Sequence, residues 1–225
     1  MVSDMVRTGK NHSPEDGIAG GSRNAARLLT AVSFAALALA AAAAVFIFVM
    51  SSDPAPESDA RSGRLIILLI RIAGKDPGSM APAELEKLTE SLSLTVRKAA
   101  HFLEFFALGA FSSSHALAAG LSCVIRRPGG YDGIAQTWRR VYIPGAVSAA
   151  VFSLLYAASD EFHQTFVPGR SGALADVIID FAGSSAGIAA ACAACAPVFI
   201  SLIKKKRRRA LSLRRPWKGG KRQLN

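Results

Sequence analysis

The chain has few of the features on which soluble folds are usually argued. Its three cysteines, Cys123, Cys192 and Cys195, are odd in number and lie in or near apolar runs, which excludes a disulfide framework. Cys192-Ala-Ala-Cys195 has redox-motif spacing without a surrounding βαβ pattern, so the pair reads as small packing residues. There is no serine elbow, no His-Glu-x-x-His zinc motif and no glycine-rich phosphate loop, so motif alone identifies no reaction type. No internal repeat is evident. Charge is missing altogether from Leu28 to Met50. Acid is missing after Ile203, where eleven lysines and arginines leave the rest of the chain balanced and account for the whole net charge of +11.

The uncharged stretch from Leu28 exceeds the roughly 20 residues needed to cross about 30 Å of hydrocarbon. Val141–Ser159 is a second uncharged run of near-spanning length, and Ala99–Ile125 and Val177–Ile203 are interrupted by polar groups mainly in their early turns. The expected fold is therefore an all-α integral membrane protein with four transmembrane helices. The run 65–70 is too short to cross and is closed by Arg71, so it reads as an interfacial or re-entrant segment. Leu85, Leu88 and Leu92 repeat at helical spacing between charged residues, which predicts a short amphipathic extracytoplasmic helix. Alanines 40–44 could imitate a signal-cleavage site, yet the apolar run continues to Met50, and a signal anchor is the expectation. Three regions follow: residues 1–27 as a disordered cytoplasmic N-terminus, 28–203 as the membrane domain, and 204–225 as a basic cytoplasmic tail.

Lysine and arginine in short loops set orientation. Arg126-Arg127, Arg139-Arg140 and the tail mark one side, whereas the loop between the third and fourth spans carries only Arg170. Both termini are then expected in the cytoplasm. The tail reads as a membrane anchor on anionic lipid, with no nucleic acid as partner.

With that topology, three polar runs converge on the outer side. The first is Lys98-Ala-Ala-His101-Phe-Leu-Glu104, whose i, i+3, i+6 spacing places three polar side chains on one helical stripe. The second is Asp160-Glu161-Phe-His163-Gln164, and the third is Arg170-Ser171 followed by Asp176 and Asp180 one helical turn apart. Each charge near a bilayer centre costs roughly 2.5–3.5 kcal/mol on insertion scales, so such residues normally face a protein interior or a wet cavity. Ser171 is expected to cap the helix that follows Pro168-Gly169. His115 stands alone in its span and reads as a helix-packing hydrogen bonder. Pro197 is expected to kink the last helix.

These runs together, from Arg97-Lys98-Ala-Ala-His101-Phe-Leu-Glu104 through Asp160-Glu161-Phe-His163-Gln164-Thr-Phe-Val-Pro168-Gly-Arg170 to Asp176-Val-Ile-Ile-Asp180-Phe-Ala-Gly183, resemble the VanZ family of small multi-span bacterial membrane proteins. Ser51-Ser52 just after the first span fits the same pattern, and the resemblance extends to about Ile200. Two departures stand out: Phe105 occupies a position where the family often has Tyr, and the loop from Arg126 to Arg140 is long. The resemblance implies a multi-pass protein of the bacterial inner (cytoplasmic) membrane and points to a phenotype, resistance to the glycopeptide teicoplanin, rather than to a reaction.

Three readings of the polar runs stay open. In the first, an outer-leaflet pocket binds or handles a cell-envelope lipid, a wall precursor or a glycopeptide, with Lys98, Gln164, Arg170 and Asp180 as ligand-binding residues. In the second, His101, Glu104, Asp160, Glu161, His163 and Asp176 supply acid–base catalysis on a lipid-linked substrate. A metal-assisted version would use His101, His163 and carboxylates, but their spacing matches no metal motif, so no metal and no cofactor is assigned. In the third, the charges pair only to tie helices together.

Overall fold

The computed structural model describes residues 14–127 and 133–213. The expectations for the extreme N-terminus, the middle of the long loop and the end of the basic tail fall on residues 1–13, 128–132 and 214–225, outside the described residues. Helices α1 (Pro14–Ser51), α2 (Ala55–Ile72), α3 (Pro82–Arg126), α4 (Ile134–Thr137), α5 (Ile143–Gln164) and α6 (Leu174–Leu213) make up the fold, and no strand occurs among the described residues. Four helical stretches are long and apolar enough to cross a membrane: Arg23–Ser51, Pro82–Arg126, Ile134–Gln164 and Leu174–Arg208.

Several boundaries differ from the sequence expectation. The chain before Leu28, expected to be disordered, is helical from Pro14 onward, continuous with the first span. The amphipathic segment around Leu85–Leu92 is helical, but it is not a separate element. It forms the first turns of α3, a helix of 45 residues and roughly 67 Å at 1.5 Å per residue, well beyond the hydrocarbon thickness. The separate short helix at this end is α2, which contains residues 65–70 in its second half and packs along α3. Arg97 Nη1 meets Asp59 Oδ1 of α2 at 3.0 Å, and Arg61 pairs with Asp53 at the start of the same connection.

α4 and α5 are joined by a widened π-type turn at Trp138–Tyr142. Pro144, which follows, has no N–H to return to the carbonyl one turn back, and a locally wider helix is a common way to absorb that loss. The turn stacks Trp138 on Tyr142 at 4.1 Å and sets Tyr142 edge-on to Phe199 of α6 at 4.8 Å. Tyr142 and Phe199 belong to an apolar cluster with Leu117, Leu121, Val141 and Ile203 at the end of the bundle that holds the basic residues. At the other end Ile47, Phe105, Leu108 and Ala157 form a second cluster. Large apolar side chains such as Phe34, Val45, Val151, Leu155 and Ile178 remain on the outer surface of the spans, as expected of helices whose solvent is lipid.

α3 is the hub and contacts α1, α2, α5 and α6. Its approach to α6 is backbone on backbone. A Cβ placed on Gly183 would lie 2.3 Å from the Phe102 carbonyl oxygen, one on Gly187 2.0 Å from that of Phe106, and one on Gly109 2.3 Å from that of Ser184. Gly183-Ser-Ser-Ala-Gly187 is a small-residue stripe of the kind that lets membrane helices meet without intervening side chains. The expectation that His115 is a packing residue agrees with its contacts: its Nδ1 lies 2.9 Å from Ser33 Oγ of α1. α6 runs through Pro197 without a break in its helical assignment.

This packing predicts that Gly183→Leu lowers the midpoint of thermal unfolding in detergent by the equivalent of about 1–3 kcal/mol or more, the usual cost of overpacking. Gly63→Ala on α2, where no described atom beyond its own stretch of helix lies within 4 Å of the added carbon, should be neutral or mildly stabilising. Equal behaviour of the two variants would argue against the close α3–α6 contact.

Candidate functional site

The glycine contact fixes where the polar residues fall. On α6, Asp176, Asp180, Gly183 and Gly187 follow one another at three- to four-residue intervals, so the glycines that touch α3 carry the two aspartates onto the same face. On α3, Lys98 lies one turn before the contact residue Phe102 and two before Phe106, and His101 immediately precedes Phe102. The consequence is direct contact: Lys98 Nζ lies 2.5 Å from Asp176 Oδ1. Both side chains are about one-third exposed, so this pair contributes little more than a surface salt bridge.

Deeper in, His101 Nδ1 is 3.7 Å from Glu104 Oε2 on the same helix. One donor atom each from His101, Asp160 and Asp180 lie within 4.8 Å of one another, and the two aspartates are only 4% and 2% exposed. Asp160 Oδ2 accepts from Ser51 Oγ at the end of α1 at 2.8 Å and from Gln164 Nε2 at 2.9 Å. Ser51 was noted in the sequence only as part of the family pattern. Its hydroxyl links the first span to the cluster. Beneath lies Phe105, fully buried and 6.1 Å from the ring of Tyr156, so the missing tyrosine hydroxyl leaves an apolar floor.

The turn after α5 is closed from both sides. Ala55 N–H donates to the Pro168 carbonyl at 3.2 Å. Gly169 adopts a φ of +75°, a left-handed conformation that glycine takes at no steric cost. The helix cap expected from Ser171 comes instead from across the bundle: α6 begins at Leu174, and Ala173 N–H donates to Glu161 Oε2 at 2.8 Å. A carboxylate at a helix N-terminus meets the positive end of the helix dipole, which gives the buried Glu161 a structural partner. Arg170, in this turn, reaches the Met50 carbonyl at 3.5 Å with Nη2, and its Nε has no hydrogen-bond partner among the described residues. Burial and, next, the like charge of Arg97 push its guanidinium below the ordinary value.

These residues surround a cleft of about 210 Å³ lined by Arg97, Lys98, His101, Glu161, Gln164, Arg170, Ser171, Asp176 and Asp180. Glu104 and Asp160 stand behind it. His163 goes elsewhere. Its ring stacks on Phe48 at 4.6 Å, and its Nε2 lies 3.1 Å from Ser52 Oγ, on the α1 side of α5. Three residues from Asp160, it projects to the far flank of the helix, whereas Gln164 projects inward.

The profile of the VanZ/LLP1 family matches residues 34–196, which takes in the second and third membrane stretches whole, most of the first and fourth, the cleft and the buried cluster behind it. The chain belongs to the VanZ/LLP1 family. No curated protein and no solved structure matches it. Within this VanZ-family chain, the four apolar helices make a multi-pass membrane protein. Gly183 and Gly187, which hold the site together, carried a readable sequence signal in their four-residue spacing.

Cross-linking tests the arrangement. In a background without the native cysteines, cysteines at positions 98 and 176, and separately at 52 and 163, should be joined by a short bifunctional thiol reagent. The pair 101 and 163 should be joined poorly, since His163 faces α1. Efficient joining of 101 to 163 with no product for 98 and 176 would require a different rotation of α5.

Proposed function

We propose that the cleft receives the anionic head group of a cell-envelope lipid or lipid-linked wall precursor, from the outer leaflet of the bacterial inner membrane. The observation that carries this reading is the placement of Arg97, Lys98 and Arg170 on one cleft at the end of a lipid-facing bundle, where head groups lie. Guanidinium and ammonium groups are the usual partners of phosphate and carboxylate. The cost of burying Arg170 is relieved when an anion arrives. The same proposal extends to glycopeptide resistance, the phenotype to which the resemblance to the VanZ family points: a protein that holds wall precursors alters what the drug meets. The bases at Arg126-Arg127, Arg139-Arg140 and beyond Ile203 support the proposed outward-facing cleft with both termini inside.

The acid–base reading has its own support in His101 and the carboxylates near the same cleft. The two readings differ in one readout. An enzyme changes the covalent mass of the bound lipid, and a binding protein returns it unchanged.

Binding of a polyprenyl phosphate to the full chain in nanodiscs, followed by native mass spectrometry, tests the proposal. Lys98→Ala and Arg170→Ala should each weaken binding about tenfold, equivalent to roughly 1.4 kcal/mol, with the protein still folded by its unfolding midpoint. Unchanged affinity in both variants would remove the proposed role of the cations.

Orientation has a separate test. Single cysteines at the exposed positions Glu57 and Thr165 should react with an impermeant thiol reagent on intact cells, and one at the exposed Gln136 only after permeabilisation. Labelling of position 136 in intact cells would place the cleft on the cytoplasmic side.

A further inference from the structure

We propose that His101, Asp160 and Asp180 bind a divalent transition-metal cation of the Mn²⁺, Fe²⁺ or Zn²⁺ type. The three residues come from three different helices, α3, α5 and α6, and each presents a donor atom within 4.8 Å of the others. That separation is near the roughly 3–4 Å imposed on ligands that share one ion at about 2.1 Å. One imidazole with two carboxylates suits the borderline divalent ions better than a thiolate-seeking or an all-oxygen ion.

Charge makes the case independently of spacing. Two carboxylates, 4% and 2% exposed, stand together inside a membrane bundle. Among the described residues, the lysine and arginine ion pairs at this end join Arg61 to Asp53, Arg97 to Asp59 and Lys98 to Asp176, and none reaches Asp160 or Asp180. Asp180 Oδ2 is buried with no hydrogen-bond partner among the described residues, and so is His101 Nδ1. Orphaned buried acceptors of this kind are costly, and each calls for an explanation. A divalent cation accounts for both the pair of buried carboxyl groups and the unfilled acceptor.

The surrounding bonds fit. Ser51 Oγ and Gln164 Nε2 both donate to the same oxygen of Asp160, Oδ2, which orients the carboxylate and leaves Oδ1 for an ion. Glu104 places a further carboxylate oxygen 3.7 Å from the His101 ring. Outer-shell groups of this type orient metal ligands and raise their basicity. His101 and Asp180 also line the cleft, so the remaining coordination positions face it, where an oxygen of a phosphate-bearing ligand can complete the shell. Metal binding by these residues requires no lipid and stands apart from the head-group proposal.

The test uses the full chain, freed of any affinity tag, in nanodiscs of zwitterionic lipid, titrated with Mn²⁺ or Zn²⁺ alone. One ion per chain is expected by calorimetry, and the electron paramagnetic resonance of bound Mn²⁺ should show coupling to one imidazole ¹⁴N. Asp180→Asn and His101→Ala should weaken binding by roughly tenfold or more, while His115→Gln leaves it unchanged. Absence of stoichiometric binding, absence of the ¹⁴N coupling, or undiminished affinity in folded Asp180→Asn and His101→Ala overturns the assignment. Should those two variants not fold, the ¹⁴N coupling in the unaltered protein still decides it.

Discussion

The backbone contact between α3 and α6 is the constraint on which the rest depends. Gly109, Gly183 and Gly187 let carbonyl oxygens of each helix sit where a Cβ would otherwise be. Membrane helices gain little from hydrophobic association, since lipid is as apolar as the side chains it replaces, so close packing must supply the contact. Once the two helices touch along that stripe, the residues one to two turns toward the Lys98 end have no freedom to separate. Lys98 meets Asp176, and His101 comes within reach of Asp180.

The other helices complete the site by smaller contributions. α1 ends at it with Ser51, α5 ends at it with Asp160, Glu161 and Gln164, and the turn at Pro168–Gly169 is held against the start of α2. Each polar group brought into the bundle would otherwise be expensive there. Glu161 meets a helix N-terminus, Asp160 accepts two side-chain hydrogen bonds, and Lys98 meets a carboxylate. Asp180 Oδ2 and His101 Nδ1 are left at the centre without hydrogen-bond partners among the described residues.

Much of this was legible in the sequence, for identifiable reasons. Spans follow from length and hydropathy. The meeting of Asp160–Gln164 with Asp176–Asp180 follows from chain reversal across a short loop. The i, i+3, i+6 stripe brought Lys98, His101 and Glu104 to one side of α3. What stayed hidden depends on helix rotation and on contacts between remote segments. Nothing local to Asp160–Gln164 says that His163 turns toward Phe48 while Gln164 turns inward, or that Glu161, twelve residues away, caps α6 in place of Ser171. The fusion of the Leu85–Leu92 segment with the second span was also hidden, because its charged face reads as a surface helix whether or not it continues. The glycine stripe was visible in the spacing of Gly183 and Gly187. Its partner, the carbonyl row of α3, was not.

Magic-angle-spinning NMR on the full chain in lipid, with ¹⁵N in the imidazole of His101 and ¹³C in the carboxyl of Asp180, measures the central claim directly. The account predicts dipolar transfer between the two labels, because their donor atoms lie within 4.8 Å, and predicts its loss in Gly183→Leu. No transfer in the folded, unaltered protein would contradict the glycine-directed assembly of the site.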